Sequence, residues 1–210
     1  MAKSLRVLLL RHAETAWNRE RRYQGWTDTP LSAAGLQQAE AAARELKEHP
    51  FVAVYSSPLQ RARETAAPIA SAHGLEVVTD PAFKELGFGE WEGLTLDEAR
   101  GRDAVLYEGW AKTPHLVSPP GAETLDQVCE RVRGGLERLR ARHHDQVVCV
   151  VAHGIPVRIL ILEALGLGLD RIWSLHSAPT GISELEFRDD WTAVHRMNTL
   201  VHLDAALAGR

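Results

Sequence analysis

The chain has two cysteines in 210 residues. Cys129 and Cys149 lie far apart and form neither a redox pair nor a metal-type cluster, so a disulfide scaffold and a thiol-redox site are excluded. Cys149 sits inside the apolar run at 147–151, where a buried, inert thiol is expected. A surplus of either charge is also missing: 24 Lys and Arg stand against 28 Asp and Glu, a net charge of -4. The basic residues are scattered, so no sequence-independent grip on nucleic acid is expected. No apolar run approaches the roughly 20 residues of a membrane-spanning helix. The run at 7–10 is also far too short for a signal-peptide core. A protein of the cytoplasm that makes no membrane contact is therefore expected. There is no Walker-type loop and no nucleophile elbow, and Gly87-Phe88-Gly89 followed by Gly93 has the wrong spacing for a dinucleotide fingerprint. Repeats, low-complexity segments and long charge runs are absent as well.

What the chain does contain is enough apolar content, 45%, to bury one full core, and a single domain over 1–210 is expected. Four segments read as strands that end in polar residues: 7–10, 52–55, 76–78 and 146–151. Helical patterns lie between them. Ser32 starts one with Leu36, Ala39, Ala43 and Leu46 on one face. A second runs over about 59–73. A third starts at Thr124, which with Gln127 has the form of a capping box, and reaches about 142. A fourth follows His153-Gly154, with Pro156 in its first turn. Two added strands are expected at 181–187 and 192–197. The alternation predicts an α/β fold, a three-layer αβα sandwich around a mainly parallel sheet. The irregular stretch from about 80 to 123 is expected to cross one edge of the sheet, with residues 90–123 acting as a cap or specificity segment over the active site.

Open α/β sheets bind ligands beyond the carboxyl ends of their strands. The first strand delivers Arg11 and His12 to that edge, the second Ser56-Ser57-Pro58 and then Arg61, and the fourth His153-Gly154. Any one of these residues read alone fits a bland role: a hydrogen-bonded loop histidine, a solvated helix arginine, a turn cap. Separate structural roles, however, give no reason for Arg, His, Arg and His to follow successive strands. Two histidines and two arginines on one rim, with helix starts aimed into it, suit a tetrahedral dianion. Two arginines would repel a cation and no carboxylate has ligand spacing, so no metal is expected. His143-His144-Asp145 reads as a solvated helix end.

On these residues the chain resembles the histidine phosphatase superfamily, which has the phosphoglycerate-mutase-like fold. The motifs are LLLRHAETAWN at 8–18, YQGWTDTPLSAAG at 23–35, YSSPLQRARETA at 55–66, ELGFGEWEG at 85–93, PPGAET at 119–124 and VVAHG at 150–154. The resemblance implies that His12 is the nucleophile that becomes phosphohistidine and that Glu85 is the proton donor. It implies that Arg11, Arg61, His153 and Asn18 hold the phosphoryl group, and that Gln24 and Gly25 face the substrate, with no cofactor. Ile155 stands where the mutase branch usually has a polar residue, and the 94–123 segment has no basic surplus, so hydrolysis of a small phosphomonoester is expected. A broad range or a nucleoside or sugar phosphate such as α-ribazole phosphate fits. Two alternatives stay open: a cofactor-dependent phosphoglycerate mutase, and a non-catalytic binder of phosphorylated partners, which would not need Glu85. Trp91, Tyr107, Trp110, His115 and Leu116 either wall a partly apolar pocket or pack the excursion onto the sheet. A homodimer is left open.

Overall fold

In the computed structural model, which describes residues 4–204, the first apolar run is a strand buried on both faces. β1 (Ser4–Arg11), β2 (Phe51–Ser56), β3 (Val77–Thr79) and β4 (Gln146–Ala152) form the parallel part of a six-stranded sheet. β5 (Ile182–Arg188) and β6 (Thr192–Thr199) add an antiparallel margin, in the order β3-β2-β4-β1-β5-β6. β1 sends Leu5, Val7 and Leu9 to one face and Leu8 and Leu10 to the other, and β4 divides Val148 and Val150 from Cys149 and Val151 in the same way. This is the two-residue alternation of a pleated strand, with both faces apolar because both are covered.

The helices are α1 (Ala16–Arg19), α2 (Ala33–Leu46), α3 (Gln60–Ala72), α4 (Leu96–Arg102), α5 (Ala104–Lys112), α6 (Leu125–Arg142) and α7 (Gly154–Leu165). Ala42, Ala43 and Leu46 of α2 and Ala62, Ala66 and Ile69 of α3 cover one face of the sheet. Val128, Val132 and Leu136 of α6 and Val157 and Ile161 of α7 belong to the core on the other face. The three-layer α/β arrangement is thus the one the alternation of elements implies. The reciprocal capping box of Thr124 and Gln127 starts α6, and the Ser32 hydroxyl accepts from Gly35 N at 3.0 Å to start α2. Among the described residues no helix is long and apolar enough to cross a membrane.

Three expectations need correction. Leu36 is 53% exposed, whereas Gly35, Gln38, Ala39, Ala42, Ala43 and Leu46 are buried; at 100° per residue Leu36 lies at the margin of that buried arc. Residues 80–123 are not irregular throughout, since they hold α4, α5 and two short 3-10 turns at Pro81–Phe83 and Gly89–Trp91. His143 is buried rather than solvated. Its ring pairs with the Tyr55 hydroxyl at 2.8 Å and with Gln146 Oε1 at 3.0 Å. It tethers the end of α6 to β2, a partner no local pattern could announce.

The start of α2 also sets the loop that follows β1. Ser32 N donates to Glu14 O at 2.9 Å, and Glu14 N donates to Gln38 Oε1 at 2.9 Å. Gly35 packs against this backbone so closely that a Cβ there would lie 2.0 Å from Glu14 O. The obstacle is main chain and cannot swing aside. Gly35→Ala is therefore expected to destabilise the fold by roughly 1–3 kcal/mol, the usual cost of overpacking, as measured by denaturant unfolding. An unchanged unfolding midpoint would show that α2 does not fix the 12–15 loop.

Candidate active site

The carboxyl ends of β1, β2 and β4 are locked side by side. Arg11 pairs in register with Ala152, His12 N donates to Ala152 O at 2.9 Å, and Ser57 N donates to Val151 O at 3.1 Å. This brings the His12 and His153 rings to a centroid separation of 5.1 Å. A cavity of about 150 Å³ opens over them. Its wall includes Arg11, His12, Asn18, Gln24, Arg61 and Glu85, joined by Arg22, Tyr23, Phe88, Gly154, Ile155, Arg158 and Trp173.

Arg61, with 0% of its surface exposed, enters from the first turn of α3. Its Nη1 donates to Thr27 O at 3.0 Å and its Nη2 to Gly25 O at 2.7 Å. Arg11 Nη1 donates to Ser177 O at 2.8 Å. The Nε atoms of both arginines and both ring nitrogens of His153 are buried without a hydrogen-bond partner. Buried polar groups are almost always paired, so four orphans around one cavity mark a site built for a ligand. The amides of Asn18 and Gln24 conform to this. Asn18 Oδ1 accepts from Thr15 N, and Gln24 Oε1 accepts from the Thr15 and Thr29 hydroxyls, which leaves the amide N–H groups to the cavity. The wall is rich in donors, as an anion requires.

Burial holds the His12 pKa well below the usual histidine value, aided by the positive charges of Arg61 and Arg11. His153 is shifted the same way by burial, then by Arg61 and His12. Burial also pushes the Arg61 guanidinium down to about 10, with the Glu85 charge opposing. His12 is thus a neutral imidazole. Its Nδ1 lies 2.7 Å from Ala13 O, a contact that places the proton on Nδ1 and leaves a lone pair on Nε2. Thr65 secures the surrounding loop: its hydroxyl accepts from Ala13 N at 2.9 Å and donates to Arg61 O at 2.7 Å.

The helix starts do not face the cavity as free donors, contrary to the sequence expectation. The N–H groups of Gly154 and Ile155 donate to Glu85 Oε2 at 2.9 Å and Oε1 at 3.2 Å, and Leu86 N donates to Oε1 at 2.9 Å. Gln60 N, at the start of α3, donates to Asp28 Oδ1. The donors left unpaired at the cavity are therefore side chains, while the first turn of α7 orients the Glu85 carboxyl. Among the described residues, no three His, Cys, Asp or Glu side chains form a metal-holding group.

Residues 7–200 match the histidine phosphatase superfamily, branch 1. The chain belongs to that superfamily. By family it is an enzyme of the phosphatase class. It is 36% identical over 95% of its length to phosphoserine phosphatase 1 of Hydrogenobacter thermophilus, covering 94% of that protein. It is 39% identical over 91% of its length to bifunctional protein Rv2228c of Mycobacterium tuberculosis, of which it spans 53%. Among solved structures, Bacillus stearothermophilus YhfR superposes with a TM-score of 0.90 at 30% identity, over 95% of this chain and 100% of that one.

In this histidine phosphatase chain, seven of the residues singled out from sequence line the cavity together: Arg11, His12, Asn18, Gln24, Arg61 and Glu85, with Ile155. His153 lies beneath them, fully buried against His12. Gly25 is not on the wall. Its φ is +54° and a Cβ would lie 1.9 Å from Glu92 Oε1, so it serves the site through the carbonyl that holds Arg61. The 90–123 segment supplies no side chain to the wall. Trp91 and Trp110 are core residues and Leu116 is 74% exposed. Trp110 instead backs the wall residues Phe88 and Trp173. Sequence reasoning missed Arg158 and Trp173, which the α7 register and the 169–174 turn bring to the cavity. It also missed two clamps. Glu92 accepts from Trp26 N, Thr27 N, the Thr27 hydroxyl and Phe88 N. Arg131, paired with Glu123, donates to the carbonyls of Ala82, Lys84 and Glu85. Both act on backbone far away in sequence, and only the tight glycine at 25 hinted at the first.

Two outcomes follow. Because His12 and His153 bind protons less readily in the native state than when unfolded, their stabilising contribution is complete above pH 6.5 and is lost as pH falls below it toward their lowered values. The thermal midpoint of the free protein should drop between pH 7.5 and 5.5; a flat profile would contradict the burial argument. Glu92→Gln would place donors against donors in the 25–27 loop and loosen Arg61. Vanadate binding, followed by calorimetry, should weaken roughly tenfold, about the worth of one charged hydrogen bond. Unchanged affinity would disconnect Glu92 from Arg61.

Proposed function

We propose that the protein is a metal-independent phosphomonoester hydrolase working through a phosphohistidine on His12. The observation that carries this reading is the set of orphaned donors, Arg11 Nε, Arg61 Nε and His153, around a neutral imidazole whose Nδ1 is tied to Ala13 O. Arg11, Arg61, His153 and Asn18 take the equatorial phosphoryl oxygens, and Gln24 completes the wall. The His12 Nε2 lone pair attacks phosphorus as the ester P–O bond breaks, with the arginines offsetting charge on the oxygens in a loose transition state. Glu85, entering as the carboxylic acid, gives its proton to the departing alkoxide. A water then attacks the phosphohistidine and loses its proton to the Glu85 carboxylate. The N–P bond breaks, inorganic phosphate leaves, and both residues return to their starting forms.

Ile155 on the cavity wall and the absence of lining residues from 90–123 favour hydrolysis over return of the phosphoryl group to a second substrate. The relatives named phosphatases agree in reaction class. The substrate is a small phosphomonoester, which Tyr23, Phe88, Ile155 and Trp173 would meet with a partly apolar wall. Organic bodies such as that of α-ribazole phosphate fit an apolar wall of this kind.

Hydrolysis of p-nitrophenyl phosphate in the presence of EDTA tests the reading, with 3-phosphoglycerate plus bisphosphoglycerate as the mutase control. His12→Ala should abolish turnover, and substantial residual activity would overturn the covalent route. Glu85→Gln should slow alkyl phosphates roughly 100-fold or more, in the range of general acid catalysis, and aryl phosphates far less, because a phenolate needs little protonation to leave. Equal losses on both would remove Glu85 from the acid role.

A further inference from the structure

Arg11 reaches the cavity wall from the end of β1, and its Nη1 donates to Ser177 O at 2.8 Å. The peptide group that offers this carbonyl is held from its far side as well. Ala178 N donates to Asn198 Oδ1 at 2.8 Å. In a planar trans peptide the C=O and the N–H that follows it point in opposite directions, so a bond that fixes the Ala178 N–H also fixes the Ser177 carbonyl that Arg11 meets. Ser177 and Ala178 are both buried, and a buried N–H has little water to turn to.

Several features bring Asn198 to this peptide. Between the pairs Ile182–Thr199 and Glu184–Arg196, β5 advances two residues while β6 advances three, a bulge of the kind that re-aims a side chain. Asn198 sits in that bulge at a φ of +51°, a left-handed conformation that asparagine tolerates better than most residues. Its N–H donates to Ser183 Oγ at 3.0 Å and its Nδ2 to His176 Nδ1 at 3.1 Å. Gly181 leaves the space the amide fills, since a Cβ there would lie 2.1 Å from Asn198 Oδ1. The same turn meets β1 a second time, where Thr180 N donates to Arg11 O at 3.1 Å.

We propose that Asn198 is a positioning residue that aims the Arg11 guanidinium at the phosphoryl group by holding the Ser177–Ala178 peptide from behind. Asn198 is not on the cavity wall, and its route to the site runs through that peptide. A guanidinium recognises an oxyanion through a rigid planar fork, so a carbonyl that turns away lets the fork meet the oxygens at the wrong angle. The inference rests on the reading above in which Arg11 binds the phosphoryl group, and it adds the group that keeps Arg11 aimed.

The test is a double-mutant cycle read on kcat/KM for p-nitrophenyl phosphate and on vanadate affinity. Asn198→Gly removes the acceptor and suits a left-handed bulge, so the fold is kept. It should lower both quantities roughly tenfold, about the worth of one charged hydrogen bond. Asn198→Asp, which keeps the acceptor, should recover most of that loss. In an Arg11→Met background Asn198→Gly should cost less than twofold, because its effect runs through the missing guanidinium. Losses of equal size in both backgrounds, or none in the first, would overturn the assignment and make Asn198 a structural tie between β6 and the 176–181 turn. A crystal structure of Asn198→Gly decides the matter if the Arg11→Met protein is too weak to measure. Ser177 O should have turned out of hydrogen-bond reach of Arg11 Nη1, and an unmoved contact would overturn the proposal. Unchanged turnover and vanadate affinity in Arg11→Met would instead remove Arg11 from the phosphoryl site, and the proposal with it.

Discussion

A guanidinium sealed from water without a carboxylate beside it has to be held by neutral dipoles, and Arg61 is held by the carbonyls of Gly25 and Thr27. Carbonyls fix its direction without cancelling its charge, so the field it produces enters the cavity. That field, added to burial, keeps His12 and His153 unprotonated. The 23–29 loop can present those carbonyls only because Glu92 gathers its N–H groups. Gly25 can sit there only because it lacks a Cβ to meet the Glu92 carboxylate. Thr65 carries the same order to the backbone beside His12.

The site therefore divides its polar groups into two sets. Carboxylates consume backbone N–H groups: Asp28 at the start of α3, Glu92 in the 25–27 loop, and Glu85, on the cavity wall itself, at the start of α7. Side-chain donors are left facing the cavity. Helix starts are common anion sites, and here they are spent on positioning the Glu85 carboxyl and the loop that carries Asp28. An anion entering the cavity would meet groups that have given up little of their charge to internal partners, which is the condition for electrostatic preorganisation.

Much of this was readable from local pattern. Strands that are apolar on both faces and end abruptly in Arg, His or Ser announce a parallel sheet and its functional edge. The caps at Ser32 and Thr124 announce helix starts, because each involves only residues three apart. The reading failed where the deciding partner was distant. His143 is buried by Tyr55. Of the two roles left open for Trp91 and Trp110, the fold takes the packing one, with Trp110 behind Phe88. Leu36 faces water because it lies at the margin of the arc of α2 that Gly35, Ala39, Ala43 and Leu46 bury.

The sequence by itself determined the sheet, its covering helices and the arrival of Arg11, His12, Arg61 and His153 at one edge, since strand period, caps and order along the chain are local properties. Tertiary structure alone decided which of their atoms stay unpaired, which carboxylate each helix start receives, and that Arg158 and Trp173 complete the wall. Those depend on backbone carbonyls and side chains brought together from distant segments, and on burial, which no single stretch of chain encodes.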